Sequence, residues 1–158
     1  SWEDYDNDGD QDLYVANDFG RNCLYRNDGG RFVSAAGDTG LEDTAFGMSV
    51  SWGDPNLDGH MDIYVGNMFS AAGNRITFQH QFKQELSEEA KKTIQRTARG
   101  NSLFQSTGDG SFQDVSNTER VTMGRWSWSS LFVDLNNDGW QDLVVTNGNI
   151  TGNQTNDL

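Results

Sequence analysis

A chain of 158 residues with a formal charge of −13 has little to offer nucleic acid or an anionic membrane, both of which recruit clustered Lys and Arg. With 34% hydrophobic residues and 18 glycines it can bury the core of one domain, but this composition suits short strands joined by turns better than a helical fold. A single cysteine, Cys23, excludes an internal disulfide, and no apolar run approaches the length of a membrane span.

The first residues already lie inside a motif. Asp4-Tyr5-Asp6-Asn7-Asp8-Gly9-Asp10-Gln11-Asp12 runs into Leu13-Tyr14-Val15, and the pattern returns from Asp54 to Val65 and from Asp134 to Val145. Each copy sets oxygen-bearing side chains at loop positions 1, 3, 5 and 9, with glycine at position 6. A hard cation that needs six or more oxygens suits such a loop, and calcium is the ion expected. Ten of the 24 acids stand at positions 1, 3, 5 and 9 of the three loops, and three divalent ions would bring the net charge to about −7. An EF-hand would need an acid at position 12 and a helix after it, whereas Val15, Val65 and Val145 fall there within strand-like runs.

Strands are expected after each loop, at 13–16, 63–66 and 143–146. Hairpins with glycine-rich turns follow the first two, from Asn22 to Phe32 and from Asn101 to Phe112. Ahead of loops 2 and 3 stand Met48-Ser-Val50-Ser-Trp52, which alternates strictly, and Trp128 to Val133; Trp2 holds the place of Trp52 and Phe132. Four antiparallel strands per unit of about 40–50 residues is the pattern of a β-propeller blade. The fold class expected is therefore all-β, a partial propeller with cation loops. Its units are residues 1–45 with a shortened first strand, 46–120 with an insertion, and 121–158 stopping after a second strand. Propellers close with about 4–8 blades, so the chain is expected to be a piece of a longer protein whose remaining blades are its first partner.

Loops 1 and 2 start 50 residues apart and loops 2 and 3 start 80 apart, which places the insertion at about 70–100. Its centre, 86–100, reads as a helix: Ser87 can cap the start, Glu88 and Glu89 suit the positive end of the dipole, and Gly100 can end it. Leu86, Ala90, Ile94 and Ala98 form a narrow apolar stripe. A helix packed on its own blade is the plain expectation, and a partner-binding decoration the sharper one.

These loops, with the intervening Asn22-Cys-Leu24-Tyr25 and Asn101-Ser-Leu103-Phe104 hairpins and the Phe46-Gly47 pair, resemble the FG-GAP or VCBS-type repeats of integrin-α-like propellers. The phrases Ser51-Trp52-Gly53-Asp54 and Asp62-Ile63-Tyr64-Val65-Gly66-Asn67 are most similar to those of the cartilage acidic protein and UnbV group. The resemblance implies secreted, cell-surface or periplasmic propellers with calcium between the first two strands of a blade. By position it implies side-chain ligands at Asp4, Asp6, Asp8 and Asp12, at Asp54, Asn56, Asp58 and Asp62, and at Asp134, Asn136, Asp138 and Asp142. The carbonyls of Asp10, His60 and Trp140 would add to each shell. Loops 2 and 3 depart from loop 1 in having Asn at position 3, and the resemblance to that group within these 158 residues is confined to the repeats.

Among the tryptophans, Trp2, Trp52 and Trp128 fall on inward alternations and are expected in the core. Trp140 sits where the other loops have Asp10 and His60, and is expected to be exposed as a contact residue. His60 and His80 lack partners at zinc-ligand spacing, and Cys23 reads as a partly buried, inert thiol. Asn149 and Asn153 open glycosylation triplets. The function expected is a non-catalytic, calcium-binding extracellular module for protein or glycan recognition, adhesion or scaffolding. The alternatives are the propeller domain of a secreted polysaccharide-degrading enzyme and a structural, filament-forming subunit.

Overall fold

The computed structural model describes residues 1–148, so Asn149 and Asn153 lie outside the described residues. The fold is mostly β, built of antiparallel blades. The first sheet joins β1 (Trp2–Glu3), β2 (Asp12–Val15), β3 (Cys23–Asn27) and β4 (Phe32–Ser34) in chain order. The second joins β5 (Gly47–Gly53), β6 (Asp62–Asn67), β7 (Ser102–Ser106) and β8 (Phe112–Asp114) likewise, and the third pairs β9 (Ser127–Val133) with β10 (Asp142–Asn147). The registers repeat with the sequence. Trp2 pairs Leu13, which pairs Tyr25; Trp52 pairs Ile63, which pairs Phe104; Phe132 pairs Leu143.

The strict alternation of β5 predicts one wet face, but the sheets stack and both of its faces are covered. Val50 and Trp52, with Ile63, Val65, Phe104 and Phe112, pack on Tyr5, Tyr14, Leu24 and Leu41 of the first unit. On the opposite face Tyr64 and Leu103 pack with Phe132, Leu143 and Val145. Every residue of β6 is consequently buried. The serines of β5 are the polar half of the alternation turned to structural use. Ser49 Oγ meets Ser130 Oγ at 3.0 Å, and Ser51 Oγ accepts the Phe132 N–H at 3.1 Å, so these inward hydroxyls remain hydrogen-bonded. Small side chains also let the sheets close, since a Cβ on Gly66 would come within 2.3 Å of Ser49 Oγ.

Two further bonds are repeated in the first and second sheets. Tyr14 donates its hydroxyl to the Leu41 carbonyl and Tyr64 to the Val121 carbonyl, both at 3.1 Å, and burial pushes both phenols up, that of Tyr64 to about 12. Asn22 Oδ1 accepts the Asn17 N–H at 2.8 Å, and Asn101 Oδ1 accepts the Asn67 N–H at 2.7 Å. Each side chain satisfies a backbone group where the sheet ladder ends.

Two tryptophans depart from expectation. Trp2 is 55% exposed: it holds the register of Trp52, but among the described residues no blade covers its face of the first sheet. Trp128 is 50% exposed, because the register shifts between Thr146 and Asn147 at this end of β9 and the indole N–H donates to the Gly148 carbonyl at 2.7 Å. Trp52 packs on the core as expected, edge-on to Tyr14.

Among the described residues three helices interrupt the sheets: α1 (Ala36–Thr39), α2 (Ala71–Thr77) and α3 (Glu88–Arg99). The first two are absent from the sequence reading. Ser70 and Ser87 cap α2 and α3 by accepting the N–H groups of Gly73 at 2.9 Å and Ala90 at 3.2 Å. Gly100 closes α3 at φ 99, where a Cβ would strike the Thr122 carbonyl. The apolar stripe buries only Ala98 fully, and polar contacts tie the helix down. Arg96 pairs with fully buried Asp43 of the first unit and bonds Ser102 of β7, whose hydroxyl donates to Asp43 at 2.7 Å. The insertion thus locks the first two units together through a buried charge. Arg96→Ala is expected to destabilise the chain by about 3–5 kcal/mol in urea unfolding, because it leaves the Asp43 carboxylate buried and unpaired; a loss under 1 kcal/mol would show that the pair is not structural.

Candidate metal centres

Each Asp-rich loop spans the turn between the first two strands of its sheet, and all three share one backbone shape. Position 4 is left-handed in every copy, at φ 60 for Asn7, 57 for Leu57 and 60 for Asn137, and Gly9, Gly59 and Gly139 follow at φ 94, 84 and 91. Asn tolerates that conformation, whereas Leu57 is held in it against its preference, so the loop geometry outranks local propensity.

The fold of the loop is written in its carboxylates. At position 1, Asp4 accepts the N–H groups of Asp8 and Gly9, both at 3.0 Å; Asp54 accepts those of Asp58 and Gly59 at 3.1 and 2.9 Å; Asp134 accepts those of Asp138 and Gly139 at 3.1 and 2.8 Å. At position 5, Asp8, Asp58 and Asp138 each accept the N–H of position 7 (Asp10, His60 or Trp140) at 2.9 Å. The chain thereby aims its acids at one point before any ion arrives.

Position 3 distinguishes the loops. Asn56 and Asn136 accept the N–H of position 5 at 3.2 and 2.9 Å and donate their amides to the Asp58 and Asp138 carboxylates at 2.8 and 2.9 Å. Loop 1 has Asp6 there, with no proton to give. Ligand oxygens of Asp4, Asp6 and Asp8 lie within 4.8 Å of one another, and Asp6 Oδ1 is buried without a hydrogen-bond partner. At that separation a pair of like charges costs about 1 kcal/mol in water and about 3 kcal/mol at the effective dielectric of a protein surface. Desolvation, followed by the charge of Asp8, raises the Asp6 pKa. An orphaned oxygen inside a ring of carboxylates fits a divalent cation, which would satisfy the oxygen and remove the repulsion together.

Position 9 serves a different purpose in the chain as folded. Asp12 stands outside the 4.8 Å cluster and bridges strands, accepting the N–H of Tyr5 at 3.2 Å and of Asn27 at 2.8 Å. Asp62 accepts the Ser106 N–H at 2.8 Å, and Asp142 the Leu135 N–H at 3.2 Å. Asp12 and Asp62 are only 1% and 2% exposed, and burial raises both pKa values, that of Asp62 to about 6. Asp10 lies outside the cluster too; its carboxylate accepts the Gly29 N–H at 2.8 Å. Trp140 is 54% exposed, as its variable position suggests.

Neighbouring four-stranded antiparallel sheets with aspartate loops between their first two strands define the blades of a β-propeller. Residues 4–65 and 94–145, more than half of the chain, match the FG-GAP-like repeat, and the chain belongs to that family. The unmatched stretch between them holds α2 and the start of α3, so the insertion is foreign to the repeat. No curated protein matches the chain. Among the described residues, no helix is long and apolar enough to cross a membrane.

The raised carboxyls set a pH dependence. Without metal, folded Asp62 keeps its proton up to about pH 6 while the unfolded chain releases it near 3.8, so stability is lost as pH rises through that window. Asp6 and Asp12, also raised, act in the same direction. The thermal midpoint of the chelator-treated chain is expected to be higher at pH 5 than at pH 7, with Asp62→Asn shrinking the difference; a midpoint that climbs with pH would contradict this.

Proposed function

We propose that the chain is a calcium-stabilised, non-catalytic propeller module of the secreted, cell-surface or periplasmic space that presents loops for protein or glycan recognition. The Asp4-Asp6-Asp8 cluster with its orphaned oxygen carries the reading, and the same loop shape at Asp54 and Asp134 extends it to three ions. Asp4, Asp6 and Asp8 would hold the first ion; Asp54, Asn56 and Asp58 the second; Asp134, Asn136 and Asp138 the third. The position 9 aspartates and the carbonyls of Asp10, His60 and Trp140 would complete the shells. A bound ion supplies positive charge that neutralises the loop and fixes the turn between two strands.

Loops so open to solvent bind most usefully at extracellular calcium levels, which supports the location. The absence of catalysis is supported by the engagement of Asp4 and Asp8 in bonds to their own loop and of Asp12 in a bond to the Asn27 N–H, which leaves these three poorly placed as acid and base. Exposed Trp140, beside the third loop, offers an aromatic face to a sugar ring or a protein side chain. The wording of loop 2 and its flanking strands supports membership of the cartilage acidic protein and UnbV type.

One site filled at a hundred times its dissociation constant adds about 2.7 kcal/mol, or roughly 5–10 °C in a chain this size. Calcium is therefore expected to raise the thermal midpoint by at least that much and a chelator to reverse it; a midpoint indifferent to both would refute the metal sites. Calcium-loaded protein is expected to be retained on a glycan or protein array without turnover, whereas oligosaccharide release from a polysaccharide panel would mark an enzyme instead.

A further inference from the structure

Residues 68–101, which separate β6 from β7, differ in charge from the chain that carries them. They hold six of its Lys and Arg and three of its acids, a net charge of +3, while the other five cations and 21 acids leave −16 elsewhere. Three of the six cations are engaged: Lys91 with Glu88 on the same helix, Arg96 with Asp43, and Arg99 with Asp114. Arg75, Lys83 and Lys92 form no ion pair among the described residues.

A cavity of about 320 Å³ opens between α2, α3 and the segment that follows β8. Its walls come from the second unit and the insertion, and none of them is a sheet face on which a further blade could stack. It lies at the Asn67 end of β6, whereas loop 2 enters that strand at Asp62. A volume at the small end of ligand pockets suits a single ring.

Phe69 and Phe78 give the cavity two aromatic walls. The Phe69 N–H donates to the Arg125 carbonyl at 2.8 Å, and Phe78, the C-cap of α2, is 67% exposed. The polar lining offers both kinds of hydrogen-bonding atom. Asn74 Nδ2 donates to the Ser70 and Ala98 carbonyls at 3.1 and 2.5 Å, and Gln95 Nε2 to the Thr77 carbonyl at 3.1 Å. Both amide nitrogens are thereby occupied, and no described residue donates to Asn74 Oδ1 or Gln95 Oε1. Arg99 supplies the complementary donor. Its Nη2 donates to Asp114 at 2.6 Å and Ser116 at 3.2 Å, but its Nε–H is buried without an acceptor. Such a donor is costly until a ligand or water meets it.

A bare anion would meet two acceptor oxygens as well as the arginine, and an aliphatic ligand would leave the amides unmet. A sugar ring satisfies both kinds of atom, because its hydroxyls can donate to Asn74 and Gln95, its oxygens accept from Arg99, and its C–H face pack on a phenyl ring. The positive surplus of the insertion selects among sugars for one that carries a carboxylate. We propose that this cavity binds a uronic acid residue of an acidic polysaccharide, its carboxylate accepting from Arg99 and its ring against Phe78. The proposal rests on the reading of the chain as a recognition module and gives that reading a site and a glycan class.

Calorimetric titration of the calcium-loaded chain with short glucuronate oligosaccharides, the matching glucose oligosaccharides and acetate tests the proposal. Glucuronate is expected to bind about tenfold tighter than glucose, and acetate to give no heat of binding. Phe78→Ala, at an exposed position, is expected to weaken both sugars. Asn117→Asp, which adds a negative charge at an exposed residue of the lining, is expected to weaken glucuronate alone. Equal affinity for the two sugars, acetate bound as tightly as glucuronate, or a glucuronate affinity indifferent to both substitutions would overturn the proposal. Failure to bind glucuronate would also overturn it, and the recognition reading would stand if an array retained the chain on another glycan or protein. Release of shortened products, with both substitutions keeping their effects, would support the cavity and overturn the non-catalytic reading instead.

Discussion

Carboxylates repel one another, and this chain concentrates them in loops only nine residues long that must nevertheless close each turn between two strands. Backbone N–H groups carry the first part of that burden. The position 1 and position 5 aspartates accept the same three N–H groups in every copy, which bends the loop around its own acids and demands a left-handed residue before the glycine. What hydrogen bonds cannot settle is the net charge. In loops 2 and 3 an asparagine amide lends a donor to the neighbouring carboxylate, while in loop 1 the Asp6 oxygen is left buried and alone. Loop 1 is thus the copy whose repulsion a cation would relieve most and, on the proposed reading, the one expected to hold it most tightly, since ligand charge tunes affinity.

The position 9 aspartates connect the loops to the sheets. Asp12 and Asp62 reach past their own loop to the N–H of Asn27 and Ser106, at the end of the third strand. Order in a loop is passed in this way to the hairpin beside it. From there the stacking takes over: Tyr14 and Tyr64 pin the segments after the fourth strand, and aromatic edges and small residues fill the space between sheets. The loops, the hairpins and the stacking faces are one mechanical unit repeated along the chain.

Much of this was legible in the sequence because the motif fixes both chemistry and phase. Once Asp4, Asp54 and Asp134 are aligned, strands β2, β6 and β10 and the two hairpins follow, as does the helix capped by Ser87. Side-chain burial was less legible. A repeat position is buried only if the neighbouring blade is there to cover it, so Trp52 and Trp2 share a register and differ in exposure. Helix α2, without acids in its first turn or a periodic apolar face, gave no signal. The Asp43–Arg96–Ser102 cluster joins residues from three separate segments, and no local pattern announces it. Leu57 gave no hint of its left-handed backbone, although Asn7 and Asn137 at the same position did.

Calorimetric titration with calcium tests the central claim most directly, because it counts the ions that the loops would hold. The account predicts three sites in the natural chain and two after Asp58→Ala, with the lost site assigned to loop 2 and the remaining affinities unchanged. No heat of binding, or a stoichiometry that Asp58→Ala leaves as it was, would contradict it.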